Sequence, residues 1–210
     1  MQIAVDGPAG AGKSSIAKIV AQKLNLEYID SGAIYRALAK KILDSNIKIE
    51  DYASIKNALE NISIELINGS VFINGVDFMP FIRSSVVTAV VSPFSAQTVV
   101  RQRVNSFLNS YSENKSVIMD GRDIGSVVFP NADYKFYLDA SVEERARRRL
   151  AEIQYSASLD EIKEAISKRD YNDKHREVGA LKRVEDAIYI DTTEMSMEEV
   201  VDKILFNIKK

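Results

Sequence analysis

Gly7-Pro8-Ala9-Gly10-Ala11-Gly12-Lys13-Ser14 follows the spacing of Gly, four residues, Gly, Lys and then Ser or Thr that marks a phosphate-binding loop. Its flanks suit the motif. Ile3-Ala4-Val5 before it is a short apolar run fit for a buried parallel strand. After it Ile16, Val20 and Leu24 fall on one helical stripe, with Ile19 beside them. The glycines allow backbone N–H groups to face a polyphosphate, and the helix N-terminus adds its partial positive charge. Lys13 supplies a point charge for the outer phosphates and Ser14 a hydroxyl for Mg²⁺. The alternative, a glycine-rich turn between strand and helix, does not require the lysine and serine at these offsets. The stretch reads as a nucleotide-phosphate site in an α/β protein.

Composition narrows what such a site can serve. The chain of 210 residues is long enough for one α/β core with an insertion. A net charge of −2 gives no overall basic field for a nucleic acid polymer. There is no cysteine, which excludes disulfides, a cysteine-bound zinc and a thiol nucleophile. No apolar run reaches the ~20 residues of a membrane helix and no signal peptide precedes the first strand, so a cytoplasmic protein without membrane partners is expected. The single histidine, His175, lies in a charged stretch with no recognisable partner and reads as a surface residue.

Four further strands are predicted at Leu26–Ile29, Ser116–Asp120, Tyr134–Leu138 and Ala187–Asp191. With the first they predict a parallel five-stranded sheet flanked by helices. Ligands gather at the carboxyl ends of such strands. Ser31 and Arg36, just past the second strand, are therefore candidates to hold a second substrate, and equally suit a helix cap and a solvated surface. Asp120 ends a buried strand downstream of the phosphate loop, as the acidic residue that helps hold Mg²⁺ does in such proteins. Gly121-Arg122-Asp123 sets a cation and an anion at that same end.

Residues 46–85 break the alternation of strands and helices. Asn68-Gly69 and Asn74-Gly75 separate alternating apolar runs, which predicts a three-stranded antiparallel meander. Ser92-Pro93 predicts a break, followed by a long helix bearing Val100, Val104, Phe107, Leu108 and Tyr111. Arg101 and Arg103 on that helix read by position as a solvated face. Capping boxes are expected at Ser141/Glu144, Ser158/Glu161 and Ser196/Glu199. Arg145, Arg147, Arg148 and Arg149, then Arg169, Lys174 and Arg176, concentrate cations between the fourth and fifth strands. Arginines converging on a transferring phosphoryl group are what phosphoryl transfer requires. No Ser/His/Asp set is apparent, and an acceptor that is itself a phosphate needs no base.

Taken together, several stretches are similar to the bacterial cytidylate kinases, a family of nucleoside monophosphate kinases. They are Val5 through Ser14, Asp30-Ser31-Gly32-Ala33-Ile34-Tyr35-Arg36, Asp120-Gly121-Arg122-Asp123-Ile124-Gly125, Val127-Val128-Phe129-Pro130, Leu138-Asp139-Ala140-Ser141 with Glu143-Glu144-Arg145, and Lys168-Arg169-Asp170. The resemblance spans nearly the whole chain. It implies the monophosphate kinase fold in a single domain: a core over 1–45, 86–147 and 182–210, an inserted monophosphate-binding part over about 46–85, and a helical lid over about 148–181. It implies ATP-dependent phosphorylation of CMP, and of dCMP, by a Mg²⁺-assisted monomeric enzyme. Gly7, Pro8, Ala9, Gly10, Ala11, Gly12, Lys13, Ser14, Ser15 and Arg148 would hold ATP, and Ser14 with Asp120 the metal. Arg36, Arg122 and Arg176 would grip the CMP phosphate, so that with Lys13 they form the catalytic set. Ser92, Arg101 and Asp123 would read the cytosine edge, Arg169 and Asp173 the ribose hydroxyls, and Ser31 would position the nucleotide. Asn172 and Lys174 stand where arginines are common in the family. A kinase for UMP, AMP or a hydroxylated metabolite would share the same chemistry, whereas a regulatory NTP-binding module would share the loop but leave residues 46–85 and Gly121-Arg122-Asp123 without a purpose.

Overall fold

The computed structural model describes residues 1–152 and 157–208; residues 153–156 of the expected lid and 209–210 of the expected core lie outside the described residues. The chain divides into two compact units, one formed by Met1–Tyr28 with Asn114–Lys210 and the other by Ile29–Glu113.

The first unit carries the sheet. Strands β1 (Gln2–Asp6), β2 (Glu27–Asp30), β6 (Val117–Gly121), β7 (Tyr134–Asp139) and β8 (Ile188–Asp191) lie in the order β2-β6-β1-β7-β8. The pairings of β1 with β6, β1 with β7 and β7 with β8 are all parallel, as the sequence pattern predicts. The chain leaves the first unit along the edge strand β2. Side chains alternate across the strands. Ile3, Val5, Ile118, Phe136, Leu138 and Ile190 point to one face and form a fully buried core with Ile16, Ala17 and Val20 of α1 (Lys13–Leu24) and Val200, Val201 and Ile204 of α8 (Met197–Ile208). Residues of opposite parity, Asp6, Lys135 and Tyr137, are buried as well. Helix α1 stops where Asn25 adopts a left-handed conformation and turns the chain into β2.

Two more helices, α6 (Val142–Glu152) and α7 (Leu159–His175), pack on each other through Ala146, Ile162 and Ile166. Ser158 and Glu161 form the expected reciprocal capping box at the start of α7, and Ser196 with Glu199 does the same before α8. At α6 the box is half made. Ser141 accepts from the Glu144 N–H, but its own N–H donates to Thr193 Oγ1, and the Glu144 carboxylate is taken by Arg148.

The second unit contains α2 (Ser31–Asp44), α3 (Tyr52–Glu60), strands β3 (Ile64–Ile67), β4 (Ser70–Ile73) and β5 (Val76–Asp77), α4 (Ser85–Ala96) and α5 (Thr98–Ser112). The three strands form the expected antiparallel meander. Asn68, Gly69, Asn74 and Gly75 all have positive φ, the conformation that two-residue hairpin turns need. Helix α2 begins at Ser31, and its N-cap is Asp30, whose side chain accepts from the Ala33 N–H at 2.9 Å. The break expected at Ser92-Pro93 falls instead at Gln97. Pro93 lies inside the last turn of α4, where its ring deprives the helix of a single N–H bond, and the extended backbone at Gln97 ends it.

Candidate active site

The phosphate loop leaves the carboxyl end of β1 and enters α1, hemmed in by its neighbours. A Cβ at Gly7 would lie 1.9 Å from the carbonyl oxygen of Leu138 on β7, and one at Gly10 would lie 3.0 Å from the Cβ of Arg145 on α6. Only glycine permits that approach. The Arg145 side chain closes the contact, donating to the carbonyl of Ala9 at 3.0 Å and to that of Ala140 at 2.9 Å. Lys13 is buried and donates through Nζ to the Pro8 carbonyl at 2.7 Å, so the loop folds over its own lysine.

At the start of α1, Ser14 Oγ donates to Asp120 Oδ2 at 2.8 Å, and Tyr28 OH donates to Asp120 Oδ1 at 2.7 Å. Ser15 is exposed. The hydroxyl brought to the carboxylate at the end of β6 is thus that of Ser14. Among the described residues no group of three or more His, Cys, Asp or Glu is placed to cage a metal.

Beyond Asp120 the chain passes through Arg122 and Asp123 into a single turn of π-helix, Ile124–Val128. Asp6 holds that turn. Its two carboxylate oxygens accept from the N–H groups of Ile124 at 2.8 Å and Gly125 at 2.7 Å. Burial pushes the Asp6 carboxyl up to about 6, against the pull of those two N–H groups. Burial, reinforced by the charge of Arg122 and opposed by that of Asp120, brings Lys13 down to about 7; Arg169 adds to the depression. Arg122 and Arg169 therefore act on the phosphate-loop lysine electrostatically.

Those arginines meet on α7. Asp173 is buried and accepts from Arg122 Nε at 2.9 Å, with Arg176 Nη1 at 3.7 Å and Arg169 Nε at 3.9 Å from its oxygens. Burial, which raises the Asp173 carboxyl, is outweighed by Arg122, Arg169 and Arg176, and the group stays below its ordinary value. Arg176 also lies 3.8 Å from Asp123. Arg148 is held by Glu144 at 3.0 Å and by the carbonyl and hydroxyl of Thr192 at 2.6 and 3.1 Å. A Cβ at Gly12 would come within 3.9 Å of its Nη1, so its head lies beside the end of the loop.

In the second unit Ser31 is buried in the first turn of α2 and Arg36 is half-buried one turn on. Ser92 is half-buried near the end of α4, its carbonyl accepting from Ser95 Oγ. Arg101, which position alone suggested as a solvated residue, is 1% exposed; it donates to the Ser95 carbonyl at 3.1 Å and lies over the Tyr35 ring. Arg103 donates to the carbonyls of Leu59 and Ile62 at the end of α3. His175 stacks on Tyr171 at the end of α7.

The family model for cytidylate kinase matches residues 3–210. The chain belongs to the cytidylate kinase family. A relative named cytidylate kinase from Geobacillus sp. (strain WCH70) is 46% identical over 212 residues, spanning 98% of this chain and 95% of its own length. Another of that name, from Fusobacterium nucleatum subsp. nucleatum, is 41% identical over 99% of this chain and 97% of its own. Among solved structures, shikimate kinase from Bacteroides thetaiotaomicron superposes with a TM-score of 0.53 at 14% identity, covering 100% of this chain and 99% of its own. At that identity the likeness is one of fold.

Three contacts around the phosphate loop are not predicted from sequence: those of Asp6 with Ile124 and Gly125, of Tyr28 with Asp120, and of Arg145 with Ala9. For Asp6 a signal was available. It ends a buried strand beside the phosphate loop, the same criterion that singles out Asp120. Tyr28 and Arg145 act through contacts with residues 92 and 136 positions away, which local pattern does not encode.

Proposed function

We propose that this chain transfers the γ-phosphoryl group of ATP to the phosphate of CMP, with dCMP as a second acceptor. Membership of the cytidylate kinase family supports the reaction. Within the molecule the supporting observation is the grouping of Arg122, Arg169 and Arg176 on Asp173, with Arg122 and Arg169 near enough to depress Lys13. Three arginines gathered on one carboxylate, two of them depressing Lys13, leave an excess of positive charge that incoming anions relieve, which is the electrostatics of a site for phosphorylated ligands.

Lys13 and the loop from Gly7 to Ser15 hold the triphosphate in this reading, with Arg148 at its side. Ser14 and Asp120 are hard oxygen donors 2.8 Å apart, a fit for Mg²⁺, which usually takes one or two protein oxygens and otherwise phosphates and water. The ion would neutralise charge on the transferring phosphates. Arg36, Arg122 and Arg176 orient the acceptor phosphate. One of its oxygens forms the new bond to the γ-phosphorus as the bond to the ADP oxygen breaks, and no base is needed because that oxygen is already anionic. Arg169 and Asp173 take the ribose hydroxyls, and Ser31 positions the nucleotide. Ser92, Arg101 and Asp123 face the base. A carboxylate that accepts from the cytosine amino group is left unpaired by the uracil carbonyl, a strong ground for rejection. The expected working form is a monomer in the cytoplasm that takes no nucleic acid polymer; among the described residues no helix is long and apolar enough to cross a membrane.

The test is a coupled assay of diphosphate formation with ATP and Mg²⁺ against CMP, dCMP, UMP, AMP and GMP. Rapid turnover confined to CMP and dCMP is expected. Turnover of another acceptor with CMP inert would replace the substrate assignment, and slow hydrolysis indifferent to every monophosphate would return the chain to a regulatory role.

A further inference from the structure

Arg145 is the most buried member of the arginine cluster on α6, 4% exposed, and it touches three elements at once. It donates to the Ala9 carbonyl in the phosphate loop and the Ala140 carbonyl at the end of β7, and its Nη1 lies 2.6 Å from Asp170 Oδ2 on α7. Asp170 is 8% exposed, and its other oxygen has no hydrogen-bond partner among the described residues. Arg145 is therefore the group that compensates this buried carboxylate, and the pair is fixed in geometry. One turn further along the same helix stands Asp173, which gathers Arg122, Arg169 and Arg176. Residues three apart on a helix share a face.

We propose that Arg145 and Asp170 are positioning residues that couple the phosphate loop to the arginine cluster, with α7 as the rigid connection. A phosphorylated ligand that draws the arginines away from Asp173 changes the seat of α7. Asp170 then shifts Arg145, and Arg145 shifts the Ala9 carbonyl on which the loop's shape depends. The two nucleotide sites thereby favour each other's occupation. This rests on the proposed function for the identity of the ligand at the arginines, but the hold of Arg145 on the loop does not.

The experiment uses the whole chain and measures ADP binding by calorimetry, alone and with saturating CMP. Removing Arg145 alone would strand the Asp170 charge and endanger folding, so the informative protein is the doubly neutral Arg145→Gln/Asp170→Asn, with Asp170→Asn beside it. In the unaltered chain CMP is expected to tighten ADP roughly tenfold, and by linkage ADP to tighten CMP equally. The double variant should bind ADP alone about tenfold more weakly, the factor that loss of one charge-assisted hydrogen bond supporting the loop corresponds to. Its affinity for CMP alone should be unchanged and its coupling factor should fall to about one. Asp170→Asn, which keeps the Ala9 bond, should lose coupling but retain most of the ADP affinity. Coupling in the double variant equal to that of the unaltered chain, or no coupling in the unaltered chain, would overturn the proposal. If CMP does not bind at all, the substrate assignment fails, while the ADP-only comparison still decides whether Arg145 positions the loop.

Discussion

Lys13 and Asp6 lie at either end of the loop that begins the chain's chemistry, and burial displaces each toward neutrality. Lys13 falls from 10.5 to about 7 and Asp6 rises from 3.8 to about 6. At pH 8 the Lys13 amine is mostly uncharged, and an incoming polyphosphate restores the proton. ADP binding should therefore take up roughly one proton at pH 8, because the bound anion returns the amine to its charged form. Calorimetry in buffers of differing ionisation heat reads this directly, and zero uptake would mean the amine is charged beforehand. Stability carries the same signature with two signs. Between pH 3.8 and about 6 the folded chain keeps a proton on Asp6 that the unfolded chain has released, so stability falls as pH rises. Between about 7 and 10.5 the unfolded chain is protonated at Lys13 and the folded one is not, so stability climbs as pH rises. Urea midpoints without nucleotide should show Asp6→Asn flattening the fall and Lys13→Met flattening the rise. Parallel curves for either variant would remove that residue from the pH response.

The elements divide into those a local pattern could reveal and those it could not. The five parallel strands were legible because each is a short apolar run, and the meander because Asn-Gly has few other uses. Helix α3 is not predicted, being nine residues long with Ile55 and Leu59 as its buried residues. Helix α4 was hidden by Pro93, which breaks a helix when central but is tolerated in the last turn. The Ser141/Glu144 box was half right because two distant partners, Thr193 and Arg148, outbid the local pairing. The phosphate loop shows the same division in its glycines. The motif requires Gly7, but the reason is long-range: a Cβ there would meet the Leu138 backbone, whereas one at Gly75 would meet nothing within 4 Å. Gly75→Ala should cost only its left-handed backbone, about 1–2 kcal/mol. Gly7→Ala must drive β1 and β7 apart and should cost about 4 kcal/mol or more, with loss of ADP binding. Urea unfolding of the two variants compares them, and equal losses would show that the contact with Leu138 relaxes easily.

For the molecule as a whole, the order of the sheet sets when the site can exist. The central strand β1 pairs with β6 and β7, more than a hundred residues downstream, and residues 29–113 intervene as a compact unit of their own. Such non-local parallel pairing cannot reward the chain until the loop between is closed. The groups that shape the phosphate loop are equally late: Leu138 as its wall, Arg145 as its brace and Asp120 as the partner of Ser14. A fragment ending at Glu113 contains every residue of the phosphate-loop motif and none of these supports. If the motif were self-sufficient, this fragment would bind ADP. The geometry says otherwise, since β1 would have neither parallel neighbour and its apolar face no Phe136, Leu138 or Ile190 to bury against. The fragment should therefore show no heat of ADP binding and no ADP-induced protection of residues 1–28 from hydrogen exchange, while the full chain shows both. Binding by the fragment within tenfold of the full chain would mean that the loop is shaped by its own eight residues, and that the braces on β7 and α6 are incidental to it.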